Sequence, residues 1–338
     1  MRRLLVALGM AAGFGVCFGQ GELLVVTKQT RSLAIVDGAS LKVLAQVPIG
    51  QDPHEVVVGP DGRTAFVSNY QEATLHTLAR VDLIGRKALP PVDVTPLLGA
   101  HGLMVHDGKI WFTAEGSKAL GVMNAATGKV EAVLGTGQEM THVVWVSKDG
   151  AKVLASNPGS GTMSLFDRVM IRPVLAAGVI ADYTQAAWKQ TLVRVGEKAE
   201  GFAVSPDEKE AWVGNDDGTI SVIGLAAEKI VETIPAGVVG ANRLKFTVDG
   251  GRVLVTTHRG KDLVVIDAAS RRVVKRVPIE EKGASGIALE PNGKRAFVAC
   301  PRDHFVAVVD LRTLERVATI EAGREPDGLA WWNGQARP

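Results

Sequence analysis

Cysteine is nearly absent: two residues in 338, Cys17 and Cys300. Cys17 falls in a leader expected to be removed, so the mature chain would keep one thiol and could form no intrachain disulfide. A secreted chain of that kind must be held by the size and topology of its core. Charge of one sign is also missing. Lys and Arg number 38 against 36 Asp and Glu, and loss of Arg2 and Arg3 with the leader leaves 36 of each. That balance argues against nucleic acid or anionic lipid as a partner. There is no phosphate loop, dinucleotide fingerprint, serine nucleophile elbow or CxxC pair, so the motif-borne chemistries are excluded. The longest apolar run, Leu4 to Val16, is too short to span a bilayer. It follows Arg2 and Arg3 and precedes Cys17-Phe18-Gly19, with small residues at −3 and −1 of a cleavage before Gln20. Residues 1–19 therefore read as a signal peptide, and the protein is expected to be secreted or periplasmic, with no membrane span. A lipoprotein role for Cys17 is the weaker reading, because Val16 is bulky where such signals want Gly or Ala.

What is present is glycine, at 38 residues, and apolar side chains, at 46 %, which together describe a globular, turn-rich chain. An internal repeat organises it. Glu55 to Asn69 (EVVVGPDGRTAFVSN) returns as Val143 to Asn157 (VVWVSKDGAKVLASN) and as Gly201 to Asn215 (GFAVSPDEKEAWVGN). Further copies centre on Asp107, Asp249 and Asn292, and a truncated one ends at Asn333-Gly334. The turn positions are 61, 107, 149, 207, 249, 292 and 333, spaced by 46, 42, 58, 42, 43 and 41 residues. Each copy runs from an alternating apolar stretch into a turn whose residues tolerate positive φ, then into a second β-rich stretch. A second phase, as in Leu263 to Asp267 and Val306 to Asp310, ends in an Asp that can bond the following backbone. Each repeat thus reads as four antiparallel strands, A to D. The fold class is all-β: a seven-bladed propeller of four-stranded antiparallel blades.

The two ends of the chain are complementary. Gly328 to Gly334 supplies one strand and stops, whereas Glu22 to Lys28 looks like a strand B with no strand A before it. One blade is then completed by N-terminal strands pairing with the C-terminal strand, which protects the sheet edges. Residues 20–338 are accordingly read as one domain. The 58-residue interval carries an insertion at about 170–189, between strands C and D of blade three, read as a packed cover or a partner-docking flap.

The turns Pro60-Asp61-Gly62, Ser205-Pro206-Asp207 and Pro291-Asn292-Gly293 stand beside Ala65 to Asn69, Ala211 to Asn215 and Ala296 to Cys300. With these residues the chain resembles the YVTN-type β-propeller repeat family, a seven-bladed relative of WD40-like propellers. The resemblance covers essentially the whole mature chain. It implies the fold and leaves function open, since propellers host binding modules and enzymes alike.

The repeat register also locates a hub. Counting back six or seven residues from each turn gives His54, His101, His142, Glu200, Asn242, Ser285 and Asp327. Each starts an innermost strand, so the seven should ring one mouth of the central channel. The B–C loops open on the same face and add Glu115, Asn157, Asp216, His258, Arg302 and His304. Three histidines on one register position in successive blades suit a zinc or copper ion, with Glu200 as fourth group or general base. The plainer alternative is that these residues line a wet, polar channel. Copper-centred propellers such as nitrous oxide reductase use more hub histidines than are present here. Cys300 reads as a buried small residue, and Trp111, Trp145, Trp212 and Trp331 as wedges between blades.

In blade two, His101-Gly102 and Trp111-Phe112-Thr113-Ala114-Glu115 resemble the repeat of streptogramin lyases, which are magnesium-dependent seven-bladed propellers. The resemblance implies His101 as general base and Glu115 as the group that helps hold the metal or leaving group. The pattern occupies one repeat only. Without a strong catalytic motif, the expected function is a monomeric binding scaffold for a small molecule or another secreted protein, with Asn242, Ser285, Asp327, His258 and Arg302 at the ligand. The alternative is a metal-dependent lyase or lactone-type hydrolase using His101 and Glu115, with zinc or copper at His54, His101, His142 and Glu200, or magnesium if lyase-like.

Overall fold

A computed structural model describes residues 21–335 apart from 179, 280 and 281. The expected signal peptide, with Cys17, lies outside the described residues. Seven four-stranded antiparallel sheets make up the chain. Six blades use four consecutive strands each, from Pro53–Val58 as strand A of blade one to Glu315–Ile320 as strand D of blade six. Blade seven takes strand A from Pro326–Trp332 and strands B to D from Glu22–Thr27, Ser32–Asp37 and Val43–Pro48. The closing pair is antiparallel, with Glu22 opposite Trp332 and Leu24 opposite Ala330. The seven-bladed all-β fold and its split closing blade thus follow the sequence reading. Among the described residues, no helix is long and apolar enough to cross a membrane.

The repeat turns form for the expected reasons. Gly62, Gly150, Gly250 and Gly293 all have φ between +63° and +72°. Asp61 Oδ1 accepts hydrogen bonds from the backbone N–H groups of Arg63 and Thr64 at 3.0 and 2.9 Å, fixing the turn. At the strand-C ends, Asp37, Asp267 and Asp310 accept from the backbone N–H of Ser40, Ser270 and Thr313. Blade four lacks the glycine, and Glu208 occupies the left-handed conformation at φ +56°.

Among the described residues, no single central core forms. Seven apolar clusters lie between neighbouring blades. Because each blade is covered on both faces, its middle strands carry continuous apolar runs instead of alternation, as in Leu23 to Val26 and Leu33 to Val36, all fully buried. The outer strands alternate, as in Val43–Pro48. Trp111 belongs to the cluster between blades two and three, Trp212 to that between four and five, and Trp331 packs on that between six and seven. Cys300 is buried between blades five and six. In blade three, strands C and D reach ten residues each, Thr162–Ile171 and Gln185–Arg194, paired along their length. Much of segment 170–189 therefore lengthens two strands. Its tip leaves Met170, Val174, Ile180 and Tyr183 more than half exposed, while Trp188 packs edge-on to Trp111 with centroids 6.2 Å apart.

Candidate site at the channel mouth

In blades two, four, six and seven the start of strand A meets the next blade at very short range. A Cβ at Gly102 would lie 2.5 Å from the His142 carbonyl, and one at Gly201 would lie 2.1 Å from that of Asn242. Hydroxyls from strand B secure the same carbonyls. Thr113 Oγ1 accepts from Gly102 N–H and donates to His142 O at 2.9 Å. Ser156 Oγ donates to Glu200 O, and Thr256 Oγ1 to Ser285 O, at 2.6 and 2.8 Å. The ring positions are thus held by backbone, whatever their side chains do.

Those side chains close the mouth. His101, Asn242 and Ser285 are only 2–3 % exposed. The three histidines form a row: His54 and His101 have ring centroids 4.6 Å apart, and His101 stacks on His142 at 3.8 Å. Glu115, delivered by the B–C turn of blade two, points at the end of that row. His142 Nδ1 donates to Glu115 Oε1 at 2.5 Å, and Tyr70 Oη donates to Glu115 Oε2 at 2.7 Å. Ligand atoms of His101, Glu115 and His142 all lie within 4.8 Å of one another. His101 Nδ1 is buried and, among the described residues, has no hydrogen-bond partner. Burial, with the charges of His142 and His54, lowers the His101 pKa well below the ordinary imidazole value. Its neutral lone pair is therefore available near neutrality.

His54 is fixed from both sides. Its Nδ1 lies 3.2 Å from Asp327 Oδ2, and its Nε2 lies 3.2 Å from Asp52 Oδ1, out of line for a hydrogen bond. Burial opposes its protonation, but Asp327 and Asp52 outweigh burial and raise its pKa. Asp327 is lowered in turn: burial works against its ionisation, but the His54 contact and the charges of Lys28 and Arg243 prevail.

Glu200 turns away from the histidine row. Asn242 Nδ2 donates to Glu200 Oε2 at 2.6 Å and lies 2.7 Å from His258 Nε2, which sits 3.0 Å from the same carboxylate oxygen. Burial pushes Glu200 up, but His258 and the charges of His142 and Arg243 hold it down at about 2. The structure therefore sets two groups side by side: His54, His101, His142 with Glu115, and Glu200 with Asn242 and His258. Ser285 Oγ is buried without a hydrogen-bond partner among the described residues. Asn157 is buried and bonds Thr141 and Ser164. Asp216 pairs with Arg259. Arg302 is exposed on the turn Pro301–Asp303, and His304 Nδ1 accepts from Glu325 N–H.

Several site residues escape the strand-A register. Tyr70 and Lys28 share a second register with Glu115 and His258, that of the first residue after strand B, and comparing that position across blades would have found them. Glu55 and Arg243 each follow a ring residue. Arg243 Nη2 donates to Glu55 Oε1 at 2.7 Å, joining blades five and one across the channel.

No protein-family model matches the chain, and no curated protein matches it in sequence. Solved structures do. A functionally unknown protein from Desulfotomaculum acetoxidans DSM 771 superposes with a TM-score of 0.71 at 16 % identity, covering 92 % of this chain and 98 % of that one. A candidate 6-phosphogluconolactonase from Bacteroides fragilis NCTC 9343 gives 0.68 at 15 % identity, covering 94 % and 99 %. Kuenenia stuttgartiensis hydrazine synthase gives 0.65 at 17 % identity, covering 82 % and 89 %. At such identities the likeness is one of fold.

Proposed function

We propose that this propeller is an exported metal-binding scaffold whose channel mouth holds one divalent transition ion through His101, His142 and Glu115, with His54 next in the row. One observation carries the reading: two imidazoles and a carboxylate, all buried, gather their ligand atoms within 4.8 Å. Neighbouring ligands of a tetrahedral zinc stand about 3.3 Å apart, given metal–nitrogen bonds of about 2.0–2.1 Å. The backbone that carries His142 is held by Thr113, so the gap would be closed by the side chains. Imidazole ligands favour zinc or copper over magnesium. Tyr70 would act from behind, orienting Glu115. Export rests on residues 1–19, and the finer family reading, a YVTN-type repeat protein, rests on the recurring turns at 61, 207 and 292.

Binding is favoured over turnover because His101, the candidate base for elimination, is 2 % exposed and offers no open path to a substrate. The test is metal analysis of the purified mature protein, followed by zinc and copper titration of the stripped protein. One tight site per chain is expected, weakened at least tenfold by His101→Ala or His142→Ala. Absence of a stoichiometric site, or undiminished affinity in His101→Ala, overturns the proposal. Turnover abolished by chelator in a substrate screen would favour the lyase or lactonase reading instead.

A further inference from the structure

Behind the polar mouth the channel changes character. A cavity of about 820 Å³ runs between the A strands, within the roughly 300–1,000 Å³ of small-molecule sites. The shared register divides its wall into layers. Three residues beyond the ring, six blades present Val57, Met104, Trp145, Ala203, Ala288 and Ala330, and blade five presents Lys245. The next layer is apolar in every blade, with Phe246 and Trp331 its largest members. Most of these side chains are half-buried, and all but Val146 line the cavity.

Lys245 is the exception in this tube. Its side chain is exposed to the channel space although the wall surrounds it. Among the described residues it makes no hydrogen bond or ion pair, and burial pushes its ammonium below the ordinary lysine value. The other cation in the tube, Arg243, is already paired with Glu55. The Glu55 carboxylate, committed to Arg243, offsets that burial only in part, so an ammonium without a contact partner on a largely apolar wall favours an anion that brings its own apolar body. The polar ring plugs one end, so entry is from the opposite mouth, past Pro206 and Val248.

We infer that the far half of the channel binds a monoanionic amphiphile, with its carboxylate at the Lys245 ammonium and its apolar tail along Phe246 and Trp331. This site is separate from the proposed metal site and does not depend on it.

The probe is dodecanoate below its micellar concentration, followed by calorimetry and by quenching of channel tryptophan fluorescence with a tail-brominated analogue. Dodecan-1-ol and dodecyltrimethylammonium serve as neutral and cationic counterparts. Saturable one-to-one binding of dodecanoate is expected, at least tenfold tighter than either counterpart. Lys245→Met should abolish that preference while still binding the alcohol, and Lys245→Arg should retain it. Ala203→Phe, which narrows the tube, should weaken both carboxylate and alcohol at least tenfold. Unchanged thermal melting of each variant establishes that it is folded. No saturable binding by the parent protein overturns the inference, as does a preference that survives Lys245→Met or binding indifferent to Ala203→Phe.

Discussion

Arg243 and Glu55 form an ion pair across the channel: the guanidinium of blade five donates through Nη2 and Nε to one carboxylate oxygen of blade one, at 2.7 and 3.2 Å. Neither side chain is more than 21 % exposed. In blades two, four, six and seven the same register holds glycine, and at Gly328 a Cβ would come within 3.1 Å of Glu55 Oε2. Removing one partner strands a charge in the channel wall, whereas removing both does not. Arg243→Leu or Glu55→Leu alone should cost about 3 kcal/mol, and the double variant should recover most of that loss. Urea unfolding of the four proteins checks this, and additive losses would contradict it.

Close packing at the mouth makes a second expectation. Alanine at Gly201 would push its Cβ to 2.1 Å from the Asn242 carbonyl. Gly201→Ala should destabilise by about 1–3 kcal/mol, the usual cost of overpacking. Gly135, which has open space around its Cβ position, is the control. Gly135→Ala should leave the urea midpoint nearly unchanged.

The Glu200 carboxylate gives a pH dependence with a definite sign. Its pKa is about 2 in the folded protein against an ordinary 4.5. The stability it contributes is therefore complete above about 4.5 and is lost as pH falls toward about 2. Glu200→Gln should be less stable than the parent at about pH 6, and the gap should shrink toward about pH 3. A gap that stays constant across that range would show that the carboxylate's charge is not its source.

Metal binding, if it takes place at His101 and His142, competes with protons for the imidazoles. Affinity should fall as pH drops, because protonated imidazole has no lone pair to give. Because burial already disfavours protonation of His101, the fall should begin below the ordinary histidine value for that ligand. Zinc titrations at descending pH measure it directly, and a flat profile would point to carboxylate ligation alone.

Truncation after Ala330 removes Trp331 and Trp332. Trp331 stacks on Phe297 with centroids 5.6 Å apart, and Trp332 Nε1 donates to Gly62 O at 2.7 Å in blade one. Both neighbours of blade seven lose a contact at once. Cooperative thermal unfolding should be lost or shifted down by many degrees, and melting like that of the full chain would contradict the closure argument.

The fold was legible because every blade repeats one pattern, so Asp61, Asp149 and Asp249 reinforce one another where a single turn would say little. The histidine row was legible for the same reason: register is a backbone property, and His54, His101 and His142 share it. Register does not say which way a side chain swings. Glu200 has ring neighbours on both sides and turns to Asn242 and His258, while Glu115, from a different turn, fills the place beside His142. Tyr70 and Lys28 each stand one residue after strand B, where the other blades carry unlike residues, so no recurring side chain marks that position. Arg243 and Glu55 lie four blades apart in the numbering, and only the closed ring brings them together.

Pairing of Glu22 with Trp332 places the first and last described strands side by side, at the roughly 4.8 Å separation of neighbouring strands. In architectural terms the domain is a circle cut at one point, and the cut lies inside a blade. Six blades separate Pro326–Trp332 from its partner Glu22–Thr27 in sequence, so their pairing is the longest-range contact of the ring. The same nearness means that a short linker could join Trp332 to Glu22 and a new cut could be made in a loop between two other blades. The result would be a propeller whose seven blades are each built from consecutive strands.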